Sequence, residues 1–168
     1  MQIQRVEQEQ RQRGDLPFIL LKPSFFNLMF DSLLKSYGSA GISMIFAMGR
    51  ERGIGEVREY RKEFSQFSMS LSKRELLNRV FLRLNQMGWG KYDIGDYNPD
   101  SNIFTIDMKF NPLVVKCGSN SNGSCAFIQG LLSGVVSEVF EKEVSMASPR
   151  CEKSPSGSCS LHFTSIVG

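Results

Sequence analysis

One apolar stretch, from Cys125 to Phe140, dominates the sequence. Ser124 is a good N-cap for a helix, and the apolar residues after it recur at a spacing that gives this helix a broad apolar face. Gly130 and Gly134 lie about one helical turn apart, so another backbone can approach the helix closely there. The sequence therefore predicts an apolar domain whose walls are built beside this helix.

Length and composition indicate one domain of ordinary size. The chain has 168 residues, of which 41% are hydrophobic and 22% are charged, close to the average for globular proteins. Such a chain can bury a core without depending on disulfides. We expect a polar tail over residues 1–15 and a single domain over residues 16–168.

Charge and hydropathy limit the kinds of binding partner and the cellular compartment that we expect for this protein. The formal net charge is +3, and basic residues are mixed with acidic ones, whereas nucleic-acid binding usually needs a clustered basic face. We expect no apolar run long enough to span a bilayer. The first fifteen residues are polar and charged, unlike a secretory signal. These patterns predict a cytoplasmic protein without a transmembrane segment and without direct nucleic-acid binding.

Two helices are predicted near the start of the domain. Ser24 is the expected N-cap of the first, and Gly38 is a plausible stop. The second follows from about Ser39. Gly53-Ile-Gly55 either breaks this second helix or lies inside its extension, since interior glycine weakens a helix.

A third helix and a hairpin come next. Ser72-Lys-Arg-Glu75 is a capping box, and the helix that it opens ends at Gly88-Trp-Gly90. Lys91–Ile94 and Ile103–Phe110 then alternate between apolar and polar residues. The turn residues of Asn98–Asn102 lie between them, so the two segments form a hairpin.

The end of the chain predicts a second hairpin. Glu143–Ala147 is a strand, Ser154-Pro-Ser-Gly157 is a turn signal, and Cys159–Ile166 alternates as a closing strand. The fold class is therefore α+β: N-terminal helices, a mostly antiparallel twisted sheet, one long apolar helix and a C-terminal hairpin.

Cysteine placement suggests a metal clip. If the last hairpin is centred on Pro155, Cys151 and Cys159 lie directly opposite each other, at a spacing that suits tetrahedral zinc. Cys125 lies in the first turn of its helix, where the helix dipole favours a thiolate. Cys117 is a possible fourth ligand. Two alternatives stay open: the cysteines are small buried residues, or Cys151 and Cys159 form a disulfide.

These residues resemble a known family. A cysteine opening an apolar helix with spaced glycines, then an acidic strand, a cysteine, a turn and a cysteine on an apolar strand resemble the C-terminal half of the 4-vinyl-reductase domain family. The match covers about residues 120–165. That family includes sensor domains of phenol- and xylene-responsive transcription activators, archaeal hydrocarbon-binding proteins and a protein of bacteriochlorophyll synthesis. It is structurally related to small subunits of a vesicle-tethering complex.

The resemblance implies a structural zinc site. It carries zinc ligation over to Cys125, Cys151 and Cys159, with a carboxylate three residues before the middle cysteine. That position is Ser148 here, and serine is a poor zinc ligand. A fourth ligand must then come from a further group, or the site is metal-free. The candidates are Cys117, which we prefer as a thiolate, and Glu152, His162 or water.

The resemblance also implies a homodimer that forms through the N-terminal apolar helices. An apolar pocket is expected between the helices and the sheet, lined by aromatic and flexible apolar side chains, with one polar contact. The candidate lining residues are Phe46, Trp89, Tyr92, Phe104, Phe127, Gln129 and Met146.

Three functions fit these features. The first is a module that binds or senses an apolar, aromatic or hydrocarbon-like small molecule. The second is an enzyme or accessory factor acting on tetrapyrroles, which only the resemblance suggests. The third is a dimeric interaction scaffold. His162 is the only histidine, and neither a catalytic triad nor a phosphate-binding glycine loop is evident, so we lean away from an enzyme.

Overall fold

The computed structural model describes residues 21–98, 103–113, 122–146, 150–153 and 159–167. The predicted tail over residues 1–15 lies outside them. The elements are, in chain order, α1 Pro23–Tyr37, α2 Ser39–Glu63, α3 Ser65–Ser68, α4 Lys73–Gln86, β1 Lys91–Asn98, β2 Ile103–Phe110, α5 Asn122–Phe140, β3 Val144–Met146, β4 Arg150–Lys153 and β5 Cys159–Val167.

The strands form one five-stranded antiparallel sheet. Its main path runs β1-β2-β5-β3, and β4 pairs with β5 beside β3. On β2, Ile106 and Met108 are buried while Lys109 is exposed, as period-two alternation requires. The structure confirms the predicted α+β class, the first hairpin and the C-terminal hairpin.

Two predicted helix starts are displaced. α1 begins with Pro23 in its first turn after the extended residue Lys22, so Ser24 is not its N-cap. Proline suits the first helical position because its missing N–H is not needed there. α5 begins at Asn122, which places Ser124 inside the first turn. The predicted stop of α1 is confirmed, because Gly38 has φ 55° and its N–H donates to the Leu34 carbonyl.

The glycines of α2 do not break it. Gly53-Ile-Gly55 lies inside a continuous 25-residue helix, which settles the alternative that the sequence left open. Gly49 and Gly53 are buried against the backbone of α5, where an added Cβ would lie 3.0 Å from Leu131 N or 2.8 Å from Val135 N. The helix therefore keeps these glycines because their side of α2 has no room for a side chain.

The contact between α2 and α5 is reciprocal. Gly130 and Gly134 of α5 face the backbone of α2, and an added Cβ would approach Arg50 N and Cα to about 3 Å. Each helix thus presents glycines one turn apart to the main chain of the other. The close approach predicted at Gly130 and Gly134 is confirmed, and α2 is the helix that makes it.

The hydrophobic core surrounds α5. Ile128, Leu131, Leu132, Val135, Val136 and Val139 of this helix are all fully buried. The segment Gly123–Phe140 is long and apolar enough to cross a membrane by length and composition, but 83% of it is buried inside the fold. We had expected no apolar run long enough to span a bilayer, and α5 contains one. Its burial among the other elements of the fold accounts for its apolar composition.

α4 starts as predicted. The Ser72 side chain accepts a hydrogen bond from Glu75 N, and the Glu75 carboxylate accepts one from Ser72 N at 2.9 Å. The Ser72 hydroxyl also donates to the Glu75 carboxylate at 2.6 Å, and this bond, together with the one from Ser72 N, holds the pKa of the exposed Glu75 carboxyl below its ordinary value. Leu77, Val80 and Leu84 form the buried face of the helix. The capping box therefore fixes where α4 begins, and the spacing of its apolar residues sets the face that meets the core.

The register of the last hairpin corrects one prediction. Cys151 pairs with Leu161, and Cys159 pairs with Lys153, so the two cysteines are not directly opposite. The centre of the hairpin lies one residue later than Pro155, which displaces each partner by two positions. Cys151 and Cys159 therefore occupy diagonal positions of the ladder, where Cα atoms lie farther apart than in a direct pair.

The glycine contact predicts unequal effects of the same mutation along α2. Gly53→Ala places a methyl group against the α5 backbone, so we expect it to lower the free energy of unfolding by about 1–3 kcal/mol. Gly55→Ala is the matched control. Its Cβ would meet only the Arg52 side chain at 3.8 Å, and better helix propensity predicts a gain of about 0.5–1 kcal/mol. Urea denaturation followed by circular dichroism measures both, and equal effects would contradict the packing described here.

Candidate functional site

Four aromatic rings meet where α1, α5 and the link from α4 to β1 come together. α1 supplies Phe26 and Phe30, the link supplies Trp89, and α5 supplies Phe127. Trp89 stacks on Phe127 with ring centroids 5.8 Å apart, and Phe30 lies 5.5 Å from Phe127. Phe26 meets the Trp89 ring edge-on at 5.8 Å. We call these four residues the aromatic cluster.

The end of α4 positions Trp89. Gly88 has φ 83°, and its N–H donates to the Asn85 carbonyl while Trp89 N–H donates to the Leu84 carbonyl. This pair of hydrogen bonds is a Schellman motif, which needs a left-handed residue at the position of Gly88. Gly90 follows with φ 135°. The two glycines therefore turn the chain sharply, and Trp89 is carried back toward α5.

Tyr92 supports the same link from the sheet side. Its hydroxyl donates to the Trp89 carbonyl at 2.5 Å, its N–H donates to the Asn85 side-chain oxygen, and its ring stacks on Phe81. Tyr92 is 3% exposed. Burial raises the pKa of this phenol far above its ordinary value, so the hydroxyl stays a neutral donor at physiological pH.

Polar contacts fix the start of α5 beside the cluster. The Ser124 hydroxyl lies 2.9 Å from the Asn27 side-chain oxygen on α1 and 3.4 Å from the Leu113 carbonyl after β2. The backbone N–H of Leu113 in turn donates to the Asn111 side chain. Ser124 therefore joins α5 to α1 instead of capping its own helix. Cys125, the next residue, is half-buried and packs against the core.

The predicted pocket residues are only partly brought together. Trp89 and Phe127 are in contact, and Tyr92 joins them through its hydrogen bond to Trp89. Phe46 and Gln129 are half-buried on α2 and α5. Phe104 and Met146 lie on β2 and β3, but their side chains are outside the described part of the structure.

Phe26 and Phe30 were missed by the sequence analysis. α1 carries apolar residues on two faces, so helical spacing alone does not decide which face is inside. Phe30 is 1% exposed, whereas Phe25 and Leu28 are 46% and 66% exposed. One sequence signal could have identified them: Phe26, Phe30 and Leu33 are spaced so that they lie on one face of a helix.

The zinc prediction is left open by the described residues. Cys117 lies outside them, and of Cys151 and Cys159 only the backbone is described. Among the side chains that are described, no group of three His, Cys, Asp or Glu residues could hold a metal ion. Ser148, the position of the family carboxylate, also lies outside. Cys125 is the one predicted ligand whose side chain is described. Its position in the first turn of α5 is therefore the structural observation that bears on whether a metal fits this site.

The aromatic cluster suits binding more than catalysis. Its rings offer apolar surface and ring faces, which bind aromatic or aliphatic groups without transferring a proton. Phe30 and Phe127 are buried, while Phe26 and Trp89 are partly exposed. The cluster therefore extends from the core to the surface, and an apolar ligand could reach it from the Trp89 side.

The fold is shared with solved structures of low sequence identity. It matches the phenol-responsive sensory domain of the transcription activator PoxR with phenol at TM-score 0.65, with 13% identity over 91% of this chain and 78% of that one. A trafficking protein particle complex subunit 3 from Naegleria fowleri, covalently bound to palmitic acid, matches at TM-score 0.57 with 16% identity, over 87% of this chain and 92% of that one.

An H-NOX mutant of T. Tengcongensis also matches, at TM-score 0.58 with 12% identity over 90% of this chain and 77% of that one. No family model matches the sequence, and neither does any curated protein. These likenesses confirm the predicted relation to tethering-complex subunits at the level of the fold.

Tyr92→Phe tests the buried phenol. The unfolded chain loses the Tyr92 proton near the ordinary pKa of 10.0, whereas the folded chain keeps it. Stability from this group is therefore present below that pH and is lost as the pH rises above it, by up to about 1.4 kcal/mol per pH unit. We expect the free energy of unfolding to decrease less between about pH 9 and pH 11 in Y92F than in the wild type.

Near pH 8 the variant should be less stable by about 1 kcal/mol, because it lacks the hydrogen bond to the Trp89 carbonyl. Urea denaturation at each pH gives both quantities. Identical pH dependence in the two proteins would show that Tyr92 does not stay protonated in the fold.

Proposed function

We propose that this chain is a small-molecule binding or sensing domain for an apolar, aromatic or hydrocarbon-like ligand. The ligand contacts the aromatic cluster. The observation that carries the proposal is the stack of Trp89 on Phe127, with Phe26 edge-on to Trp89, at a place where three segments of the chain converge. The shared fold with a phenol-responsive sensory domain supports it.

The energetics favour a ligand with a ring. Each aromatic pair contributes about 0.5–1.5 kcal/mol beyond the area that it buries. A ring that joins the partly exposed faces of Phe26 and Trp89 gains such a contact and loses little solvation, because both surfaces are apolar. The Schellman turn and the Tyr92 hydrogen bond fix the backbone of Trp89, and its ring packs against Phe26 and Phe127. The site is therefore pre-organised, which lowers the entropic cost of binding.

Membership of the 4-vinyl-reductase family is part of this proposal. It rests on the cysteine spacing of residues 120–165 and on the fold. The tetrapyrrole alternative has weaker support: H-NOX domains share the fold, but the single histidine, His162, has no described side chain. The scaffold alternative is supported only by the fold of the trafficking complex subunit. A cytoplasmic location stays a prediction.

We also propose that pairs of chains associate through α1 and α2. Large apolar side chains on these helices are exposed, with exposed fractions of 38–66%. They are Phe25, Leu28, Tyr37, Ile42, Met44 and Met48. Burying such a surface against a second copy would remove it from water.

Zinc is proposed as a structural ion held by Cys125, Cys151 and Cys159, with Cys117 as the fourth ligand. The support is the helix-start position of Cys125 and the pairing of β4 with β5, which brings Cys151 and Cys159 to diagonal positions of one ladder. Bound zinc would join the start of α5 to the C-terminal hairpin and would perform no catalysis, since four protein ligands leave no site for substrate.

Trp89 is the only tryptophan in the chain, so its fluorescence reports on the cluster directly. We expect phenol and toluene to change Trp89 emission in a saturable way. Phe127→Leu should weaken binding by about tenfold, because it removes the ring that stacks on Trp89.

Phe64→Leu is the matched control, because Phe64 is exposed and its ring contacts Tyr60, with centroids 4.8 Å apart, away from the cluster. It should leave the affinity unchanged. If apolar compounds neither change Trp89 emission nor give heat in calorimetry, the proposed ligand class is wrong.

Native mass spectrometry of the fully reduced protein tests the metal and the pairing together. We expect two chains per particle and one zinc per chain. Cys125→Ser should lose the zinc, because a neutral hydroxyl is a poor ligand. Asn27→Ala, which removes a neighbouring contact but no thiolate, should keep it. Metal-free wild-type protein would refute the zinc site, and single chains would refute the pairing.

A further inference from the structure

A cleft of about 420 Å³ lies at the other end of α5 from the aromatic cluster. Its apolar floor is formed by Leu71, Leu76 and Val139, and two cationic side chains, Arg61 and Lys73, line it with Glu141. Phe127 and Val139 are separated along α5 by roughly 18 Å, from the helical rise per residue. This cleft is therefore a different place from the proposed ligand site.

The two cations are held in position by the protein. The Lys73 ammonium donates to the Phe140 carbonyl at 2.9 Å, where α5 ends. The Arg61 guanidinium lies 3.4 Å from the Glu141 carboxylate and 3.7 Å from that of Glu138. Both cations carry more N–H donors than these partners take. Each can therefore keep its protein contact and donate to an anion in the cleft.

The backbone conformation of Glu141 is a second observation that supports a binding site in this cleft. Glu141 has φ 58°, and Lys142 N–H donates to the Ser137 carbonyl, so Glu141 occupies the left-handed position that follows α5. Glycine is the usual residue there, and this chain uses Gly88 at the same position after α4. The structure keeps a strained glutamate instead, and its carboxylate faces Arg61. Glu141 thus acts as a positioning residue for the guanidinium.

The apolar part of the cleft is incompletely covered. Met69 lines it and is 88% exposed, while Leu76 and Val139 beneath it are buried. A chain of a few methylene groups could lie on this floor under Met69 and be removed from water. The cleft is within the usual size range of small-molecule sites, which is roughly 300–1,000 Å³.

We propose that this cleft binds a small amphipathic carboxylate. The carboxylate lies between Arg61 and Lys73, and the apolar tail lies along Leu71, Leu76 and Met69. Two cationic groups and Glu141 line the cleft, while Glu138, which also lies near Arg61, is compensated by Arg58 at 3.1 Å, so the cleft favours an anion over a cation. The site is independent of the aromatic cluster and does not need the proposed function to hold.

Octanoate is the probe, and methyl-labelled methionine is the local readout. We expect the Met69 methyl signal, assigned with Met69→Leu, to move in a saturable way in NMR titrations. Met44 and Met48 lie on α2, on the surface proposed to pair two chains, and serve as internal controls. Their signals should stay in place, whereas a fatty acid that coats apolar surface or displaces a paired chain would move them together with Met69. Octanol, which lacks the charge, should bind at least about tenfold more weakly.

Arg61→Gln and Lys73→Gln should each weaken octanoate binding by about tenfold, because each removes a charge-assisted contact. Lys35→Gln is the matched control: it removes a lysine charge from an exposed position on α1 and should leave binding unchanged. Phe127→Leu should also leave the Met69 response unchanged. Equal binding of octanoate and octanol, equal shifts at Met44 and Met69, or full affinity in R61Q would overturn the proposal.

Discussion

The backbone contact between α2 and α5 determines the rest of this structure. Four glycines, Gly49 and Gly53 on one helix and Gly130 and Gly134 on the other, let two main chains touch. A single added Cβ at any of these positions would force the helices apart, because the atoms that it meets are backbone and cannot move aside. The axis of α5 is thereby fixed relative to α2, and α1, α4 and the sheet pack around this pair.

This arrangement determines which parts of α5 are accessible. The middle of α5 is covered by α2 and by core side chains, so it offers no access. Its two ends are different, because each is reached by loops and by the ends of other elements. At the start, Phe127 meets Trp89 and α1. At the end, Phe140 and Glu141 meet Lys73 and Arg61. The proposed apolar site and the proposed charged site thus lie at opposite ends of the same buried helix.

The sequence predicted those features that depend on local rules. The capping box at Ser72, the stop at Gly88 and the close approach at Gly130 follow from the chemistry of single residues and are confirmed. The partner in the close approach, formed by Gly49 and Gly53, was not predicted, since interior glycines had been considered only as weakening or breaking α2. Their role depends on a residue far away in the chain, which local pattern does not contain.

In the candidate site, too, residues with a local sequence signal were predicted and residues placed by tertiary packing were missed. Trp89 and Phe127 were named because a ring between glycines and a ring on an apolar helix are visible in the sequence. Phe26 and Phe30 were missed because α1 is apolar on two faces, and only tertiary packing decides which face is buried. The register of β4 on β5 was wrong by two positions for a similar reason. β5 also pairs with β2 over six residue pairs. The register of β4 on β5 therefore depends on this longer pairing as well as on the turn, and the turn sequence alone does not determine it.

Glu56 shows why charged groups remain inside this fold. It is fully buried, yet it forms ion pairs with Arg52 on its own helix and with Arg83 on α4. A buried carboxylate is costly unless cations compensate for the lost water, so this pair adds little net stability over an apolar core. The glycine contact fixes the distance between α2 and α5 and also the face of α2 that meets α5, because any other face would bring side chains against the α5 backbone. The ion pairs of Glu56 with Arg83, and of Arg58 with Glu138 at 3.1 Å, add to this constraint, since each joins one face of α2 to one neighbour. Arg61, two residues before the end of α2, is oriented toward the charged cleft by the same constraint.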